Sequence, residues 1–145
     1  MAYQTVVEAS LRKNIYNTIF TLIDANKLTG WTVLSAFPEV QATFPCLVIK
    51  SANITLNKIG FTTDGRINEA EIVIELYSKA SSRKETIDLM RDKLYDIFLT
   101  NKSTLFTYNL FLSGENPFID SGTDEIEYNN EKFNTSAVAI QLGIR

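Results

Sequence analysis

The chain contains no histidine. That absence removes Ser-His-Asp and Cys-His catalysis, imidazole zinc sites and the commonest general base near neutral pH. An enzyme built from this sequence would have to work with carboxylates, lysine or tyrosine. A single cysteine, Cys46, excludes an internal disulfide and fits a reducing compartment. Long apolar runs are missing too: stretches such as "IFTLI" fall far short of the roughly 18 residues that span a bilayer. The opening "MAYQTVVEASLRKN" has no basic segment followed by an apolar run of about 7 or more, so no signal peptide is expected. Without secretion, the sequons at Asn53, Asn101 and Asn134 are coincidences of composition. Strong charge is also lacking. A net charge of −3 argues against a protein that wraps phosphates, which needs a dense Lys/Arg surface. It leaves room for a surface that nucleic acid passes without sticking.

What remains is 145 residues, 45% hydrophobic and 21% charged, the balance of one globular domain spanning residues 1–145. Leu11, Ile15, Ile19, Leu22 and Ile23 recur at helical spacing, predicting an amphipathic helix from about Val6 to Asn26. A short strand is expected at Thr32 to Ala36, then a loop ending at Pro45. Two β-like runs follow. In "RINEAEIVIELYSK", Ala70, Ile72, Ile74 and Leu76 share one face, while Glu69, Glu71, Val73, Glu75 and Tyr77 share the other. In "CLVIKSANITLNKIGF", Ala52, Ile54 and Leu56 share a face, but Leu47 and Ile49 break the parity. A bulge, or burial of both faces near the start, would explain the break. A three-residue loop at Asp64 to Arg66 sets Leu56 against Ile74 and Ile54 against Leu76, predicting a long antiparallel hairpin with its tip at Ile59 to Arg66.

Further on, Ile87, Met90, Leu94 and Ile97, flanked by Tyr95 and Phe98, mark the buried stripe of a second helix. "LFTYNLFL" alternates as a strand with Phe106, Tyr108, Leu110 and Leu112 inward, and "GENPFIDSGTD" reads as a loop. The last segment reads as a hairpin turning at Asn129-Asn130. In its final strand Val138, Ile140, Leu142 and Ile144 alternate with Ala137, Ala139, Gln141 and Gly143. The expected fold is α+β: a mostly antiparallel twisted sheet with a long β-hairpin and two α-helices packed on it.

Ser81-Ser82-Arg83-Lys84 matches the Ser-x-x-Lys pattern of penicillin-recognising serine enzymes. Those enzymes also need a downstream Ser-x-Asn and a Lys-Thr-Gly. Here Ser51-Ala52-Asn53 lies upstream and no Lys-Thr-Gly exists. Ser82 followed by Glu85 is instead a capping box that opens the second helix at Arg83. The row Glu69, Glu71, Glu75 invites a metal or an acid–base reading, but alternate strand positions lie about 7 Å apart, too far for one small ion unaided. The plainer reading is a solvent face, and its sharper form is a surface that repels a passing polyanion. "KIGFTTDGR" has too few glycines and no following helix for a phosphate loop. Its Phe61 is either a singly exposed apolar residue or an aromatic anchor at a protruding tip. In the second case Ile59, Phe61, Thr63, Asp64 and Arg66 are the candidate subunit or partner interface. Trp31 is expected in the core, and Cys46 as a small buried hydrophobe. No catalytic, cofactor-binding or metal-binding residue emerges.

An N-terminal helix, "FPCLVIK", a hairpin, "AEIVIELYSKASSRKETIDLMRDKLYDIF" and a closing "EKFNTSAVAIQLGIR" strand follow one another in this chain. In order and spacing this resembles the tail terminator (tail completion) proteins of long-tailed bacteriophages. The resemblance implies a non-enzymatic virion protein that forms a hexameric ring. The ring would cap the tail tube, end its polymerisation and present a surface to the neck. It implies as partners other copies of the chain, the tail tube protein and a neck or head-completion protein. Duplex DNA would pass through without specific binding, and neither cofactor nor membrane is involved. The location implied is the head-proximal end of the virion tail, and the host cytoplasm during assembly. Glu69, Glu71 and Glu75 are then candidates for a lumen or solvent face. Two alternatives stand beside this reading: another neck or head–tail connector component, or a small protein-binding module on the same scaffold.

Overall fold

A computed structural model describes residues 2–35, 45–50, 52–55, 68–79, 85–113, 115–128 and 130–144. The elements run α1 (Ala2–Asn26), β1 (Thr32–Leu34), β2 (Cys46–Ile49), β3 (Asn53–Thr55), β4 (Asn68–Lys79) and α2 (Glu85–Thr100). They continue with α3 (Lys102–Thr107), β5 (Leu110–Leu112), β6 (Phe118–Asp120), β7 (Asp124–Tyr128) and β8 (Glu131–Ile144). All the strands join one sheet, ordered β1-β2-β4-β8-β5, with β3 beside β4 and with β6 and β7 beside β8. Only β1 and β2 run parallel; every other described pair is antiparallel. The architecture is α+β.

The sheet has unlike faces because its two long strands alternate. Ala70, Ile72, Ile74 and Leu76 of β4 and Val138, Ile140 and Leu142 of β8 are buried against the helices in one core. Ile15, Ile19, Leu22 and Ile23 of α1 and Ile87, Met90, Leu94, Ile97 and Phe98 of α2 close that core, and Trp31 joins it. At about 25 cal/mol per Å² of apolar surface, each such side chain contributes about 1.5–3 kcal/mol on burial. Specific contacts set the helices on the sheet. The Tyr16 hydroxyl donates to the Ile49 carbonyl at 2.9 Å. The Phe118 ring stacks on Tyr95 with centroids 4.5 Å apart and meets Phe98 edge-on at 6.2 Å.

The expected hairpin register is corrected. Ile54 pairs with Ala70 rather than Leu76, while Leu47 pairs with Leu76 and Ile49 with Ile74. The expected register would have carried Leu47 and Ile49 past the end of β4. The observed one buries both against large partners: the slip is even at β3, which keeps Ile54 inward, and odd at β2, which turns Leu47 and Ile49 inward as well. The parity break is a bulge: Ile49 to Asn53 spans four steps, while their partners Ile74 and Glu71 are three apart. All four residues of β2 are buried as well, so both readings of that run hold.

Two further corrections concern short elements. "LFTYNLFL" begins inside α3, which buries Leu105 and leaves Phe106 and Tyr108 exposed; only Leu110–Leu112 is strand. Asn101 ends α2 by donating its side-chain amide to the Ile97 carbonyl at 2.7 Å, and Asn109 turns the chain into β5 with φ +64°. The sheet thus carries a third helix. The "GENPFIDSGTD" segment contains β6, whose Phe118 faces Ile140 in the core. The turn after β7 falls as expected: Tyr128 pairs with Glu131, leaving two residues between, and Asn130 has φ +64°.

Candidate interaction surface

Among the described residues, no helix contributes to the second face of the sheet. Its buried centre is Cys46, Val48 and Tyr77, with Leu34 and Ile126 packed against it. Cys46 is fully buried, and burial pushes its thiol up to about 12, so it behaves as the small hydrophobe expected.

The acidic row of β4 lies on this face, and its three members differ. Glu75 is held by Lys50 at 2.6 Å and accepts a hydrogen bond from the Tyr77 hydroxyl. Burial alone would raise its pKa; hydrogen bonds from Lys50 and Tyr77, with the Lys50 charge, outweigh burial and lower it. Burial and the adjacent Glu75 carboxylate raise the Tyr77 hydroxyl. Glu71 accepts from the Gln141 side-chain amide on the neighbouring β8, while Glu69 is exposed opposite Gly143. A shallow notch of about 170 Å³ opens over Glu69, Glu71, Asn53 and Gln141. Among the described residues the row therefore has no cation paired at its Glu69–Glu71 end and an ion pair at Glu75. Among the described residues no three Asp, Glu, His or Cys side chains converge as a metal site would require.

The proposed interface residues Ile59, Phe61, Thr63, Asp64 and Arg66 lie outside the described residues, as does Ser82 of the capping box. Glu85, its partner in that box, is the first residue of α2 and is exposed.

A feature that sequence reasoning saw only in its β7 half is the ribbon β6–β7 at one edge of the sheet. Its two halves are joined by a bulge: Asp120 to Asp124 spans four steps, while their partners Val138 and Thr135 are three apart. Gly122 takes φ +80° there and donates its N–H to Asp120 Oδ1 at 2.5 Å. The Ser121 hydroxyl accepts the Ala137 N–H at 3.0 Å, satisfying a donor on β8 beside the bulge. Arg91 of α2 braces the same place, donating to Thr123 Oγ1 and Ser136 Oγ at 3.2 Å each and to Asp88 at 3.0 Å. Residues 115–131 hold Glu115, Asp120, Asp124, Glu125, Glu127 and Glu131 with no Lys or Arg among them. That run of one sign was the signal available in the sequence.

On the helix side, a groove of about 450 Å³ lies between α1 and the α2–α3 corner, lined by uncharged residues including Thr21, Asn101 and Tyr108. No helix among the described residues is long and apolar enough to cross a membrane.

No protein-family model matches the chain, and a search of curated proteins returns no match.

Proposed function

We propose that the chain is a structural virion protein of a long-tailed bacteriophage, a tail terminator. It forms a hexameric ring that caps the tail tube, ends its polymerisation and joins the tail to the head or neck. The observation that supports this reading most is the one-sided sheet. Among the described residues, helices pack on one face, while the other carries carboxylates whose Glu69–Glu71 end has no cation paired with it. A ring threaded by duplex DNA needs a lining that does not bind phosphate, and such a face repels it. Closed rings also need two different patches on each subunit, and an open sheet offers two unlike edges. The chemistry assigned is assembly rather than catalysis. The partners are further copies of the chain, the tail tube protein and a neck or head-completion protein. The place is the head-proximal end of the tail, reached after assembly in the host cytoplasm.

Negative-stain imaging of the purified protein tests this reading. The expected image is a ring with a central hole wide enough for duplex DNA, and phage lacking the protein should carry tails of uncontrolled length or unjoined heads. A strictly monomeric protein absent from phage particles would overturn it. Binding to the portal ring instead of the tail tube would favour another connector component.

A further inference from the structure

The ribbon at one edge of the sheet is acidic, while the rest of the chain is net positive. The six carboxylates of residues 115–131 leave eleven in the rest of the chain against fourteen Lys and Arg, so that remainder has a net charge of +3. The ribbon β6–β7 lies on the outer side of β8, and among the described residues no other strand pairs with it. Asp124, Glu125, Glu127 and Glu131 are all exposed, and among the described residues a single cation pairs with them, Lys132 at 3.9 Å from Glu125. At the opposite edge, α1 packs against β1 and β3. It exposes Arg12 and Lys13, neither in an ion pair among the described residues, and Glu8 is the one carboxylate before Asp24.

We infer that the acidic β6–β7 ribbon of one subunit docks against the exposed Arg12–Lys13 pair on α1 of a second copy in a head-to-tail contact. Three points carry this. Ribbon-to-ribbon pairing would set carboxylates against carboxylates, which disfavours the symmetric arrangement. The complementary cations sit on α1, a different patch from the ribbon, so the contact is heterologous and propagates or closes into a ring. Finally, unpaired strand edges are normally covered or guarded, and among the described residues this one is unpaired and mostly acidic, with Arg91 beside Asp120 and Lys132 beside Glu125. The inference rests on the ring reading and assigns its subunit contact.

Light scattering tests it with charge reversal. The wild type should assemble at about 50 mM salt and dissociate at about 500 mM, because exposed ion pairs weaken as the Debye length shrinks. Glu125→Lys with Glu127→Lys should weaken assembly by about tenfold or more, and so should Arg12→Glu with Lys13→Glu. The variant carrying all four changes should assemble again, with circular dichroism establishing that each variant is folded. If either two-site variant assembles as the wild type does, the contact is wrong and the ring reading stands. Failure of the folded four-site variant to recover also overturns the contact. A wild type that stays monomeric at low salt overturns the contact, and the ring reading falls with it only if the protein is also absent from phage particles.

Discussion

The ring of Phe111 lies over Gly143 on the helix-free face of the sheet, in the space a β-carbon on Gly143 would occupy. The two residues are directly paired between β5 and β8, so the glycine is there for room rather than for backbone freedom. Gly143→Ala should cost about 1–3 kcal/mol through overpacking. In a Phe111→Ala background the same change should cost much less, and a double-mutant cycle from urea unfolding measures the difference.

The Lys50–Glu75–Tyr77 group predicts a defined pH response. Glu75 is depressed in the folded protein, so its contribution is present above the carboxyl's unfolded pKa of about 4.3 and is lost as pH falls through the lower folded value. Lys50→Met should therefore lower the melting temperature at pH 7, with the gap to wild type closing below about pH 4. A gap of constant size from pH 7 to pH 3 would show that Lys50 acts through packing of its stem instead.

Arg91 joins α2 to the bulge between β6 and β7, and its side chain is only 14% exposed. Arg91→Met keeps the stem and removes the donors. A loss of about 1.5–3 kcal/mol is expected, the range for hydrogen bonds to a charged group. Amide hydrogen exchange should quicken in Phe118–Tyr128 more than in β4.

Cys46 should be silent toward thiol reagents in the native state, because it is fully buried and its thiol is pushed up to about 12. Modification should proceed at the rate of unfolding, and adding urea to the transition midpoint should expose the thiol. Rapid labelling in buffer would contradict the buried placement.

Periodicity revealed the long elements because each buries one face only. β4, β8 and the α2 stripe repeat their apolar residues at periods that one secondary structure alone satisfies. Short segments are different. Phe106, Tyr108, Leu110 and Leu112 alternate as a strand would, yet Leu105 is the residue that reaches the core, so one helical turn and three strand residues share the run. β6 was hidden because a three-residue strand with one inward side chain, Phe118, leaves no pattern. The hairpin register was lost for another reason: loop length and the matching of Ile54 and Leu56 to the apolar face chose it, whereas burial of Leu47 and Ile49 against β4 decided it. For the candidate surface, the Glu69, Glu71, Glu75 row was legible as a face. Its internal inequality was not, because Lys50 reaches Glu75 across strands rather than along one. The acidic ribbon needed no periodicity to be seen, only a count of signs along residues 115–131.

The one-residue offset between β2 and β3 gives the chain something like a reading frame. Leu47 and Ile49 face the helices in one frame, and Ala52 and Ile54 face them in the other. Losing a single residue between Ile49 and Asn53 would remove the bulge and merge the frames, with Ile54 still opposite Ala70 and facing the helices, whereas gaining one there would need a wider bulge or would turn Ile54 toward the carboxylates. Length changes in this segment should therefore be judged by parity before they are judged by size.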